Sequence, residues 1–579
     1  MDRQIRRIGF VLIVLFGVLF LQLNNIQVLQ AAKLANAPGN SRHITADFSR
    51  PRGVIQTADG VVVARSVPSN DAYKLVRQYP QGPLFAGITG FFSLTYGSDG
   101  VEATYDKDLS GQTLLIRHLS DLLRPRTTTE DLTLTISNRL QQQAATSMGH
   151  LKGAVVAMDP RDGSVLAMYS FPSYDPNALA SHDQAMVTQA RAAYLADPSQ
   201  PLLARAYRRA YPPGSTFKVV DSAGVFDHDP ALASKSYPIL TQLVLPETNR
   251  TLHNFAGESC GGMLPELLKV SCDTGFAQVG LDLGAQNLAS EANAFGYDHT
   301  PPLDLPSVAA SNFPPPSAFH QNLPALAYSA LGQQNVTTTA LENALTVAGI
   351  ANGGNIMVPH VMAQIRDSQG QMVRAWQPRT WMHATSAQTA GMVRDLMVGV
   401  TQGGTATNVA LPGVQVAAKT GTAEGASTSN TSWLVAFAPA GAPTVAVAVV
   451  IEPQPGLPSN PTGSVVAGPI ARAMLAAALA KPGASAPPAG SPVAPPAGGT
   501  PGTGGPGTGR GGSSPGTAGT PNTGNTPNTG NTPNTGSTPG TGSTPRTGST
   551  PRTGSTPSTA TAPPGGGSTP GTGNLGTGR

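Results

Sequence analysis

The sequence of 579 residues predicts an α+β fold, with one antiparallel sheet flanked by helices. Three observations carry that expectation. Apolar, strand-forming runs lie near both ends of a central body, helical and loop-rich sequence separates them, and after Pro482 the composition shifts to Pro, Gly, Thr and Ser.

The elements follow in order. "MDRQIRRIGFVLIVLFGVLFLQLNNIQVLQ" places Arg3, Arg6 and Arg7 ahead of an apolar run from Ile8 to Leu21. Leu23, Ile26 and Val28 extend it to a bilayer-crossing length if Gln22, Asn24 and Asn25 sit at the outer edge or face a partner. Residues 1–28 therefore read as a cytoplasmic stub and an uncleaved membrane anchor. A cleaved signal peptide fits the same length, although no small-x-small site follows Leu21 directly. Either reading keeps the arginines in the cytoplasm and exports the body.

Residues 29–130 read as a small N-terminal domain, in which "PRGVIQTADGVVVARS" (51–66) forms a hairpin turning at Ala58-Asp59-Gly60. The main domain spans 131–481. "DLTLTI" (131–136) alternates at period two as a strand, and "SNRLQQQAATSMGHL" (137–151) is a helix opened by a Ser or Asn cap. "GAVVAMDPRDGSVLAMYS" (153–170) is two strands joined by a Pro-Arg-Asp-Gly turn; "VAAKTGTAEG" and "SWLVAFAPAGAPTVAVAVVIEP" supply three more.

Residues 482–579 form a tail with prolines every six residues from Pro521 to Pro557, in units such as "NTPNTG" and "STPRTG". Almost no side chain there exceeds alanine in apolar bulk, so burial cannot offset the entropy of ordering; we expect a disordered arm. Its only charges, Arg510, Arg546, Arg552 and Arg579, equal the whole net charge of +4, which leaves residues 1–481 neutral. The basic balance thus gives no argument for nucleic acid.

Cys260 and Cys272 are the only cysteines. An even pair in an exported body is a disulfide candidate, and a buried small hydrophobe is the alternative for Cys272. With His253 alone nearby, the pair makes at most half a zinc site, so neither a metal nor a cofactor is expected.

The chemistry concentrates in "YPPGSTFKVVDSAG" (211–224). Prolines in a first turn followed by Thr, Phe, Lys, Val, Val open a helix, and positions i and i+3 share a face. Ser215 and Lys218 then lie within hydrogen-bonding reach, with Ser215 at the positive end of the helix dipole. A serine hydroxyl needs a base to become a nucleophile; a lysine among Phe217, Val219 and Val220 is a poor surface residue and a plausible base. Two further runs complete the set: "KVSCDTGF" (269–276), with Ser271-Cys272-Asp273, and "AAKTGTAE" (417–424), with Lys419-Thr420-Gly421.

In that order, S-x-x-K, S-x-D and K-T-G resemble the signature of penicillin-binding protein transpeptidases. "AMDPRDGSVLAMYSFPSYDPN" (157–177) and "YSALGQQNVTTTALENALTVAGIANGG" (328–354) extend the likeness. "RPRGVIQTADG" (50–60) and "YGSDGVEATYDKDLSG" (96–111) resemble the pedestal of monofunctional class B members, especially the PbpA-like branch of actinobacteria. No glycan-polymerising domain has room between the anchor and that pedestal, which argues against the bifunctional class A relatives.

The resemblance implies a membrane-anchored serine D,D-transpeptidase that cross-links peptidoglycan through an acyl-Ser215 intermediate and is acylated by β-lactams. Lys218 would be the base, aided by burial and the second cation Lys419, and Ser271 would relay the proton to the leaving amine. Lys419, Thr420, Gly421 and Thr422 would hold the terminal carboxylate of a D-Ala-D-Ala stem peptide, with the N–H groups of Ser215 and Thr422 as oxyanion hole. Asp273 stands where the family usually has Asn; an ionised carboxylate only accepts, so it would pair with a lysine or suit a modified stem peptide. A SEDS-family glycan polymerase is the implied partner. A DD-carboxypeptidase, a β-lactamase, or a catalytically weakened binding or sensor module uses the same residues and is the alternative.

Overall fold

The computed structural model describes residues 2–26, 48–111, 129–423, 430–458 and 461–480. The repeat tail lies outside the described residues, as does all of a second unit from Ser491 onward. A helix spans Asp2–Asn24, and its stretch Arg3–Asn24 is long and apolar enough to cross a membrane.

The central sheet has five strands in the order Ala417–Ala423, Thr431–Ala438, Val445–Ile451, Gly153–Met158 and Val165–Phe171, all antiparallel. These are the strands expected at the two ends of the body. The two middle runs, "TSWLVAFA" and "VAVAVVI", are buried at every position, so both faces must be covered. Helix Ala340–Ala351, nearly all of it buried, lies on one side; Gly468–Leu479 and Asn138–Met148 pack together on the other. Ser137 caps Asn138–Met148 by accepting from the Leu140 N–H, as the sequence suggests.

A second sheet has six strands in the order Met372–Ala375, Met362–Asp367, Glu130–Leu134, Ile55–Gln56, Val62–Pro68 and Leu75–Gln78. The expected hairpin at 51–66 is its Ile55–Gln56 and Val62–Pro68 pair. The run "DLTLTI" pairs in parallel with Ile55–Gln56 and antiparallel with Met362–Asp367. Strands from both sides of residue 130 therefore share one sheet. Buried Glu102 ties its edge together, accepting from Arg52 Nε and Arg77 Nε at 2.6 Å each.

Between the sheet-forming segments lies a helical region of Lys218–His228, Leu264–Val270, Asp273–Ala294, Leu323–Ser329 and Ala387–Gly403. Helix Ala387–Gly403 contacts Lys218–His228, Leu264–Val270 and strand Ala417–Ala423. It is thus a common support for the three elements that carry the sequence motifs.

Candidate active site

Ser215 sits in a tight turn, Gly214–Thr216, that runs into helix Lys218–His228. Gly214 has φ +54°, and a Cβ there would stand 2.7 Å from the Thr422 carbonyl oxygen. Only glycine lets the serine turn lie this close to the strand. Gly421 serves from the other side: a Cβ would meet Thr216 Cγ2 at 2.8 Å and the Pro213 oxygen at 2.9 Å. Phe217 anchors the turn, with its ring 5.4 Å from both Phe313 and Tyr297. The buried Trp433 indole, on the adjacent strand, donates to the Pro212 carbonyl at 2.9 Å. Ser215 itself is half-buried and makes no side-chain hydrogen bond among the described residues.

The sequence expected a Ser215–Lys218 hydrogen bond, and the structure forms none. The Lys218 ammonium, wholly buried, turns instead to the Ser271 loop, donating to Asp273 Oδ1 at 2.7 Å and the Ser271 carbonyl at 2.9 Å, with Ser271 Oγ at 3.5 Å. A carboxylate is a stronger acceptor than a neutral hydroxyl, and it captures the ammonium. Asp221, one turn further along the helix, makes no hydrogen bond to the ammonium, and burial pushes its carboxyl well above the usual range.

Ser271 joins helices Leu264–Val270 and Asp273–Ala294 at φ +59° and ψ +41°. A non-glycine residue in the left-handed region costs about 1 kcal/mol or more and clusters at functional sites. That conformation places Oγ between the two lysines, with Lys419 Nζ donating to it at 2.7 Å. Lys419 also donates to the Thr420 carbonyl at 2.8 Å. Burial first, and then the charge of Lys218, push the Lys419 ammonium well below the ordinary lysine range, against the pull of Asp273. One carboxylate thus faces two buried amines, Lys218 within 2.7 Å and Lys419 through its charge.

Cys260 and Cys272 are joined as a disulfide, with Cα atoms 5.8 Å apart, directly beside Ser271. Thr422 lies on the same face of its strand as Thr420. The sequence reading did not single out Thr405, whose Oγ1 lies 2.7 Å from Thr420 Oγ1. Its only local signal is "GGT" at the end of a helix, which reads as an ordinary helix stop.

Comparison with known proteins shows the family. The family model "Penicillin binding protein transpeptidase domain" matches residues 153–476, and "Penicillin binding protein A dimerisation domain" matches 52–130. The chain belongs to the penicillin-binding protein transpeptidase family, on its PbpA-like branch. It is 39% identical to the peptidoglycan D,D-transpeptidase PbpA of Mycolicibacterium smegmatis, covering 82% of this chain and 98% of that one. Identity to the protein of the same name from Mycobacterium tuberculosis is 37%, again over 82% of this chain and 98% of the relative. Among solved structures, penicillin-binding protein A of M. tuberculosis as a ceftriaxone acyl-enzyme superimposes with a TM-score of 0.70 at 36% identity, covering 75% of this chain and all of that one. Its penicillin G acyl-enzyme gives 0.67 at 37%, over 74% of this chain and 100% of that one.

Proposed function

We propose that this protein is a membrane-anchored serine D,D-transpeptidase that cross-links peptidoglycan stem peptides, with Ser215 as nucleophile and as the atom that β-lactams acylate. The observation that carries the assignment is the Ser271 hydroxyl held between two buried lysines, one three residues after Ser215 and the other on the strand that the serine turn packs against. Ser215 Oγ attacks the carbonyl of the penultimate D-Ala while its proton passes into the Lys218–Ser271–Lys419 chain. The oxyanion develops between the N–H groups of Ser215 and Thr422, whose backbones the Gly214 contact brings together. The C–N bond breaks, and the terminal D-Ala leaves after its amine takes the proton back through Ser271. An acceptor amine then attacks the acyl carbonyl, forming the new C–N bond as the ester C–O bond to Ser215 breaks and the amine's proton returns to Ser215 Oγ through the same chain. Lys419, Thr420, Gly421 and Thr422 hold the donor carboxylate.

The anchor keeps its arginines in the cytoplasm and the catalytic domain outside. A disulfide suits that oxidising compartment. A SEDS-family glycan polymerase is the partner whose strands this enzyme would cross-link. A second reading, a catalytically weakened binding or sensor module, draws support from the 2.7 Å Lys218–Asp273 ion pair, which engages the base away from Ser215. Fluorescent penicillin separates these readings and a β-lactamase. Rapid stoichiometric labelling with slow release supports the transpeptidase, absence of label supports the sensor, and fast turnover supports a β-lactamase.

A further inference from the structure

Thr405 follows the Ala387–Gly403 helix and is fastened on two sides. Its backbone N–H donates to the Lys269 carbonyl at 3.2 Å, two residues before Ser271. Gly404 lies so tightly on the same carbonyl that a Cβ would stand 2.1 Å from its oxygen. The helix is tied in turn to the other motif, since Thr401 Oγ1 donates to the Val416 carbonyl at 2.6 Å just before strand Ala417–Ala423. Gly404 and Thr405 therefore clip the Ser271 loop to the Lys419 strand. The half-buried Thr405 hydroxyl meets the Thr420 hydroxyl at 2.7 Å, where Thr420 is only 7% exposed.

A threonine hydroxyl has one hydrogen and two lone pairs, and a carboxylate only accepts. When Thr420 donates its hydrogen to a bound carboxylate, its contact with Thr405 can be satisfied in one way: Thr405 donates and Thr420 accepts. The two hydroxyls then form a directed chain ending on the substrate, and each bond polarises the next. With Thr405 absent, nothing else among the described side chains within hydrogen-bond distance fixes the Thr420 rotor.

We propose that Thr405 is a positioning residue that aims the Thr420 hydroxyl at the donor carboxylate and so sets the enzyme's selectivity for donors with a free carboxylate. The inference rests on the reading that the Lys419–Thr422 strand binds that carboxylate.

The test measures second-order acylation of the full-length protein by benzylpenicillin and by its methyl ester, in which the carboxylate is blocked. Wild type should prefer the free acid. Thr405→Val, close in shape but without the hydroxyl, should shrink that preference about tenfold, by slowing the acid and sparing the ester. Thr405→Ser should restore it, and Thr420→Val should reduce it at least as far. Equal slowing of acid and ester by Thr405→Val would make the residue a structural clip and overturn the proposal, as would an unchanged ratio. If Thr420→Val also leaves the ratio unchanged, the carboxylate reading itself fails.

Discussion

Lys218 Nζ and Asp273 Oδ1 stand 2.7 Å apart, the lysine side chain fully buried and the carboxylate 21% exposed. Removing one member of such a pair strands a charge in a low-dielectric site. Asp273→Ala should therefore destabilise the domain by about 3 kcal/mol, whereas the double variant Lys218→Met/Asp273→Ala should lose less than the sum of the single changes. Urea unfolding of the four proteins of the cycle measures this. Strict additivity would mean that the pair contributes nothing through its charge.

Lys218→Met should slow penicillin acylation by a factor of about 10²–10⁴, the usual range for a lost general base. Stopped-flow labelling with fluorescent penicillin reads the rate. An unimpaired rate would assign Lys218 a packing role only.

Gly214→Ala should reduce labelling strongly while leaving the central sheet intact. The substitution meets both the φ of +54° and the 2.7 Å approach to the Thr422 carbonyl, so the serine turn must lift off the strand. Circular dichroism and the labelling rate together separate this local effect from unfolding.

Glu291 provides a pH dependence remote from the chemistry. Burial, and then the charge of Asp227, push its carboxyl up to about 8 in the fold, from an ordinary value of 4.5. Between those values the native state holds a proton that the unfolded chain has lost, so this contribution to stability is complete below about pH 4.5 and falls as pH rises through about 8. His228 Nε2 lies 3.0 Å from the same carboxyl, inside the hydrogen-bonded pair. Glu291→Gln should flatten the decline in unfolding free energy between about pH 5 and pH 8, measured by denaturant titration. A decline as steep as in wild type would place its origin elsewhere.

The disulfide closes a loop of sequence separation 12, for which chain-entropy arguments give about 3 kcal/mol. Cys260→Ser/Cys272→Ser should lower stability by about that amount, and free-thiol counting on unreduced, denatured wild type should find no reactive thiol.

The central sheet was legible because its strands are local apolar runs with turn residues between them: Val165–Phe171 follows Gly153–Met158 across a Pro-Arg-Asp-Gly turn. The three motifs were legible because each is a short run. The long-range pairing of the second sheet was not, since nothing local in "MAQIRD" indicates that Met362–Asp367 pairs with Glu130–Leu134. A helical i, i+3 relation also placed Ser215 and Lys218 on one face, but a four-carbon stem lets the ammonium choose a carboxylate supplied by another helix. Thr405 was missed for the same reason, as its meaning comes from Thr420 across space.

The central claim is that Ser215 carries the acyl group. Peptide mapping by mass spectrometry after penicillin treatment tests it most directly. One penicilloyl adduct per chain, on the peptide containing Ser215 and abolished by Ser215→Ala without loss of the thermal transition, is the predicted result. An adduct on another residue, or full labelling of Ser215→Ala, would contradict the account.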